Sequence, residues 1–191
     1  MIDLLKPNPE QLLQKWEHVM RETAHIWTWT TTLELCWLAE YASQCVFDEK
    51  RRPNFIEIGS YNGRSAKVML LANPKMNILS LDTWDDGNLP NYRHNLGPEI
   101  AASRVITIKG ESQDTLKTLI NVEFAGCFID GGHLEHLVKA DIENVMPLMK
   151  PGSLMAGHDF SVKDKNDVYR GVISVLQKVE NPVDSIWAYQ L

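Results

Sequence analysis

A chain of 191 residues with a net charge of −6 and 44% apolar content has the size of one domain and enough apolar side chains to bury a core without covalent staples. Its one basic run, Lys50-Arg51-Arg52, is too short for an electrostatic footprint on nucleic acid, and no apolar stretch reaches the roughly eighteen residues of a membrane span. Cys36, Cys45 and Cys127 have no metal-like spacing and read as buried thiols of a reducing compartment, and Met1 to Pro7 lacks the shape of a signal peptide, so a cytoplasmic protein is expected.

The first fifty residues read as a helical extension and residues 51–191 as the core of a single domain. Leu12, Leu13, Trp16, Val19 and Met20 recur at helical spacing between Glu10 and Thr23, which predicts an amphipathic helix outside the main core, serving as a lid or partner surface. Thr31 or Thr32 then caps a second helix from Leu33 to about Phe47. Trp27, Trp29 and Trp37 read as core or helix-packing aromatics, with a substrate wall as the alternative. From Pro53 onward strands and helices alternate. Strands are expected at Phe55–Ile58, Ile78–Leu81, Val105–Lys109, Gly126–Ile129, Ser153–His158 and Ser185–Gln190, the last antiparallel at an edge. Helices are expected at Arg64–Leu71, Asn91–Ser103, Ser112–Ile120, Glu135–Met149 and Asn166–Val179. Such alternation predicts an α/β fold: a Rossmann-like, doubly wound and mostly parallel sheet, covered by helices on both faces, with ligands at the carboxyl ends of its strands.

The first of those strand ends carries the strongest motif. Phe55-Ile56-Glu57-Ile58 runs into Gly59-Ser60-Tyr61-Asn62-Gly63-Arg64-Ser65, a strand, a turn with two glycines and a helix start. Gly59 can take a positive φ, and Gly63 lets a ligand approach the backbone. The Gly-x-x-x-Gly spacing lacks the glycines that surround a dinucleotide's pyrophosphate, which counts against a nicotinamide enzyme. Glu57 would repel phosphate and attract an ammonium or hydroxyl. The second strand ends in Asp82, followed by Thr83, about twenty residues past the glycines, where a carboxylate can grip ribose hydroxyls. A cationic, phosphate-free nucleoside fits these features, and S-adenosylmethionine is one. The turn Asp85-Asp86-Gly87-Asn88-Leu89-Pro90 borders the same pocket or is an ordinary solvated loop.

Two further strand ends are unusually polar: Asp130-Gly131-Gly132-His133 and Gly157-His158-Asp159. Adjacent strands would let Asp130, His158 and Asp159 hold one divalent ion, with magnesium the first choice. His133, three residues beyond Asp130, could act as general base toward an acceptor hydroxyl. The alternative is that Asp130 caps the following helix while His158 and Asp159 satisfy loop amides. His18, His25, His94 and His136 fall in no such cluster.

Between Asn54 and Phe160 the chain resembles class I S-adenosylmethionine-dependent methyltransferases, and within them the small metal-dependent O-methyltransferases of catechol and sugar type. Glu57-Ile58-Gly59-Ser60-Tyr61-Asn62-Gly63, Gly110-Glu111-Ser112-Gln113-Asp114, Ile129 to His133, and Lys150-Pro151-Gly152 with Gly157-His158-Asp159 carry the resemblance. It implies that Glu57, Gly59, Tyr61 and Ser65 line the methionine portion, Asp82 the ribose, and Ser112 and Gln113 the adenine edge, with Ser60, Gly63, Thr83 and Asp130 bordering the same cofactor. It also implies Asp130 and His133 as the catalytic pair and Asp130 with Asp159 as metal ligands. His158 stands where that family has an acid, and His133 stands where catechol-type enzymes carry lysine and sugar-type enzymes histidine. The partner it implies is a hydroxylated small molecule. A cofactor-binding module without catalysis and a homodimer both stay open.

Overall fold

The computed structural model describes residues 3–46 and 54–191. The expected end of the second helix at Phe47, the basic run Lys50-Arg51-Arg52 and the first two residues lie outside them.

In chain order the elements are helices α1 (Pro9–Glu22) and α2 (Thr32–Gln44), strand β1 (Phe55–Ile58), α3 (Arg64–Ala72), β2 (Ile78–Asp82), α4 (Leu89–Asn95), α5 (Gly97–Ala101), β3 (Val105–Lys109), α6 (Ser112–Leu116), β4 (Phe124–Ile129), α7 (Glu135–Val145), β5 (Met149–Gly157), α8 (Asp167–Val175) and β6 (Trp187–Gln190). A 3₁₀ turn at Met146–Leu148 joins α7 to β5. The sheet order is β3-β2-β1-β4-β5-β6, parallel throughout except for β6, which lies antiparallel on β5 as expected. The outer edge of β6 carries an isolated antiparallel bridge, Glu180 to Ala188.

Strand residues alternate between two cores, because successive side chains point to opposite faces. Phe55, Ile78, Phe128, Leu154 and Ala156 face one core with α1, α2 and α3. Ile56, Ile58, Leu79, Leu81, Cys127, Ile129 and Met155 face the other with α7 and α8. The chain reverses its direction of travel between β1 and β4, and the carboxyl ends of these two neighbours open a crevice, the position where open α/β sheets bind ligands. Among the described residues no helix is long and apolar enough to cross a membrane.

Three expectations are corrected. The helix α1 is no detached lid: Leu12, Trp16, Val19 and Met20 are buried in the same core as β1, and Trp16 Nε1 donates to Glu40 of α2 at 2.9 Å. Only Leu13 of the five apolar positions faces outward. The expected helix over Asn91–Ser103 is two short ones: the chain leaves helical geometry at Leu96, with φ −106° and ψ 13°, and Pro98 has no N–H with which to carry the hydrogen-bond ladder across the break. Trp37 is fully buried as expected, but Trp27 and Trp29 are 51% and 79% exposed.

The helix α2 is anchored deep in the sheet. Tyr41 donates its hydroxyl proton to the Leu154 carbonyl and accepts from the Cys127 amide at 3.0 Å. Space for that ring comes from Gly126, where a Cβ would stand 2.6 Å from the Tyr41 oxygen. The opposite end of α2 is thereby brought to the crevice. Thr31 and Glu34 close a reciprocal cap there, Thr31 Oγ1 accepting from the Glu34 amide and Glu34 Oε2 from the Thr31 amide.

Candidate functional site

A cavity of about 1,110 Å³ lies at the carboxyl ends of β1, β2, β4 and β5. The glycine loop forms one wall. Gly59 has φ +85°, and a Cβ there would stand 1.9 Å from the Asp130 carbonyl oxygen, so only glycine lets the β1 and β4 ends touch. The contact is held by the Asp130 amide donating to the Ile58 carbonyl at 2.7 Å and the Gly59 amide donating to the Leu81 carbonyl at 2.8 Å.

Asp82 fixes the loop that follows. Its Oδ2 accepts from the Tyr61 amide at 2.8 Å and its Oδ1 from the Trp84 amide at 2.7 Å. Trp84 Nε1 donates to the Tyr61 carbonyl at 2.8 Å. Tyr61 and Trp84 both sit at positive φ, an unusual conformation for residues with side chains, and this network holds them there. Asp82 still lines the cavity, with lone pairs left for a ligand.

Of the residues singled out from sequence, Gly59, Ser60, Tyr61, Gly63 and Ser65 line this cavity, with Asp82 and Thr83 beside them. Ser112 and Gln113 line it from α6, and Asp130, His133, His158 and Asp159 from the β4 and β5 ends. Glu57 alone lies behind the lining. It is fully buried, accepts from Ser65 Oγ at 2.5 Å and from Ser80 Oγ at 3.4 Å, and burial pushes its pKa up to about 7. The turn at Asp85 to Asn88 does not line the cavity, and Leu89 and Pro90 begin α4.

The β4 and β5 ends gather charge. His133 Nε2 stands 3.1 Å from Asp159 Oδ2 and 3.8 Å from Asp130 Oδ1. His158, only 7% exposed, has Nδ1 3.4 Å from both Asp130 Oδ1 and Asp159 Oδ2, and Nε2 3.1 Å from Glu34 Oε2. Burial works against a charge on His158, but Asp130, Asp159 and Glu34 outweigh it and push its pKa up to about 12, so it is an imidazolium. The Asp130 carboxylate, followed by Asp159, raises the His133 pKa as well. Donor atoms of Asp130, His133 and Asp159 lie within 4.8 Å of one another.

Sequence reasoning missed two contributors, Glu34 and Asp141. Glu34 of α2 is 1% exposed, and besides His158 it binds the Ser185 amide at 3.0 Å and hydroxyl at 2.6 Å, joining the N-terminal helices, the charged cluster and the segment before β6. The capping pattern Thr31-x-x-Glu34 was the available signal. Asp141 of α7 is fully buried and accepts from Ser112 Oγ at 2.5 Å and from Gln113 Nε2 at 3.4 Å, which fixes the α6 wall. Trp27 and Trp29, for which a substrate wall is the alternative reading, border the mouth, their rings 4.5 Å apart, with the Tyr61 ring 5.6 Å from Trp27.

Solved structures share this architecture at low sequence identity. A Staphylococcus aureus protein assigned as a caffeoyl-CoA O-methyltransferase superposes with a TM-score of 0.71 at 15% identity, over 96% of this chain and 98% of that one. An O-methyltransferase of Bacillus cereus in complex with S-adenosylhomocysteine gives 0.66 at 16%, over 93% and 91%. The O-methyltransferase TomG of Streptomyces achromogenes, in complex with S-adenosylmethionine, gives 0.64 at 15%, over 93% and 87%. No curated protein matches the chain significantly. Residues 56–160, more than half of the sequence and the span that holds the glycine loop, Asp82, Asp130 and Asp159, match the family described as methyltransferase domain, and the chain belongs to that family.

Proposed function

We propose that this protein transfers a methyl group from S-adenosylmethionine to a hydroxyl oxygen of a small molecule. The observation that carries the reading is that the glycine loop with Asp82 and the cluster of Asp130, His133 and Asp159 open into one cavity. A nucleoside site and a proton acceptor then stand together. The complexes of the Bacillus cereus and Streptomyces achromogenes O-methyltransferases with S-adenosylhomocysteine and S-adenosylmethionine support the choice of donor.

The donor supplies a methyl carbon already activated by its positive sulfur. The chain's task is to hold that carbon in line with the acceptor oxygen and to take the hydroxyl proton as the oxygen–carbon bond forms and the carbon–sulfur bond breaks. Asp82 suits the ribose hydroxyls, and Ser112 and Gln113, braced by Asp141, suit the adenine edge. With His133 Nε2 turned to Asp159, Nδ1 is the nitrogen left to accept a proton. Asp159 thereby sets the tautomer of the base.

A divalent cation fits the same cluster by its donor chemistry. Two carboxylates and an imidazole would leave open positions, and a metal there would lower the pKa of a bound hydroxyl. Asp130, His133 and Asp159 would hold it. His133 joins Asp130 and Asp159 in the tightest grouping of donor atoms, while the expected ligand His158 turns Nδ1 to the same two carboxylates at 3.4 Å and Nε2 to Glu34. Ligation and proton acceptance compete for His133, so turnover in excess chelator separates the two uses.

Methyl transfer from labelled donor to a panel of hydroxylated acceptors, alongside calorimetry with S-adenosylhomocysteine, tests the proposal. Replacing His133 with alanine should lower turnover by about 10²- to 10⁴-fold and leave the affinity for S-adenosylhomocysteine within about twofold. Folded wild-type protein that binds neither donor nor product would overturn the reading. Binding without turnover on any acceptor would reduce the protein to a cofactor-binding module.

A further inference from the structure

Trp27 and Trp29 line the cavity yet stand largely in solvent, an unusual place to leave two of the largest apolar side chains. The strap that carries them is held firmly. Asn62 Nδ2 donates to the Trp27 carbonyl at 3.3 Å. Beyond Trp29 the Thr30 amide donates to Thr28 Oγ1 at 3.2 Å, and that hydroxyl donates in turn to Thr30 Oγ1 at 3.1 Å. The capped start of α2 follows at once, so the strap is pinned at both ends. Trp27 meets Trp29 with ring planes inclined by 76°, and Tyr61 with planes inclined by 63°. Rings set at such steep angles form a corner, and the electron-rich faces they leave uncovered attract a cation.

Charge points the same way. Five carboxylates line the cavity, those of Asp82, Glu111, Asp130, Asp159 and Asp167, against one guanidinium, Arg64, and the imidazoles of His133 and His158. Asp167 is offset by Arg170 from outside the lining. Among the described residues no lysine lines the cavity, and Lys163 and Lys165, on the loop before α8, stand outside it. Arg64 opens α3 on the glycine-loop wall, away from the strap in sequence and in the element that carries it. A phosphate or carboxylate on an acceptor would therefore meet like charge. A positive group gains both from the field of the cleft and from the rings.

We propose that Trp27 and Trp29 form the recognition platform for the methyl acceptor, and that this acceptor is a hydroxyl compound bearing a protonated or quaternary amine, the amine held on the rings and the hydroxyl presented to His133. The inference rests on the methyl-transfer reading above. It goes beyond that reading in naming the chemical class of the acceptor and the residues that select it.

Calorimetry tests it with three probes that share a phenol and differ in the charge of the side chain: tyramine, cationic; 4-ethylphenol, neutral; and 3-(4-hydroxyphenyl)propionate, anionic. Wild-type protein, with and without S-adenosylhomocysteine, should bind tyramine about 10-fold or more tighter than 4-ethylphenol, and the propionate most weakly. Trp27→Ala and Trp29→Ala should each weaken tyramine by about 5- to 10-fold and 4-ethylphenol by less than about threefold, while Trp29→Phe keeps part of the preference. Thermal melts of these variants should match wild type, which separates lost recognition from lost fold. Tyramine bound no more tightly than 4-ethylphenol, or not bound at all, overturns the proposal. Equal losses on tyramine and 4-ethylphenol in the tryptophan variants overturn it too, leaving the rings an unselective apolar wall. In either case S-adenosylhomocysteine that still binds keeps the donor assignment standing. Tyramine selectivity in a protein that never binds S-adenosylhomocysteine overturns the donor assignment and the acceptor role together.

Discussion

The two halves of the cavity are built on different physics. The β1 and β2 half is fixed by backbone: Gly59 against the Asp130 carbonyl, and the Tyr61 and Trp84 amides on Asp82. The β4 and β5 half is fixed by charge: one imidazolium, His158, among three carboxylates, with His133 at its margin. Backbone geometry suits a ligand whose shape never changes, such as a nucleoside. Clustered titratable groups suit a site where a proton must move.

Substitutions that attack one half and spare the other sharpen this contrast. Gly59→Ala should have the largest effect, because the added methyl group collides with main chain and φ is positive. Urea titration should show a loss on the order of 4–5 kcal/mol, or no folded protein. Glu34→Ala leaves the His158 charge short of one partner in a buried setting, and should cost about 3–5 kcal/mol in the same assay. Equal stability of Glu34→Ala and wild type would mean that α2 is not what holds the charged half together.

Glu57 gives a smaller, pH-dependent effect. Burial raises its pKa from 4.5 to about 7, so the folded state holds a proton that the unfolded chain releases. That contribution is complete below pH 4.5, declines as pH rises and is gone above about 7, an upper range of about 3 kcal/mol. Thermal melts from pH 5 to 8 should therefore show a decline that Glu57→Gln flattens. Trp29→Ala is expected to change stability by less than about 0.5 kcal/mol, since the ring is 79% exposed. Any effect of that variant should fall on the KM of the acceptor, and a change in donor affinity instead would move Trp29 to the other half.

Local patterns made the backbone half readable. An apolar β-branched run ending in Gly59, and an acid ending the next strand, are short-range signals, and the structure brings those residues into one wall. The acids and histidines of the other half were equally visible at Asp130, His133, His158 and Asp159. Their organiser was not, because Glu34 lies far away in sequence and reaches His158 only through the packing of α2 on the sheet. Asp141 was hidden for a different reason. A lone acid on a helix reads as solvated, and only the three-dimensional approach of α6 reveals it as buried. Burial of α1 was misjudged because amphipathic periodicity identifies an apolar face without saying what covers it.

Glu34 stands upstream of residues 56–160, and its other partner, Ser185, stands downstream. A protein trimmed to the shared span would keep Asp130, His133, His158 and Asp159 yet free His158 from the carboxylate behind it. The smallest working unit is therefore longer than the region by which the family is known, and fragments or fusions should keep the segment from Thr31 through Ser185 intact.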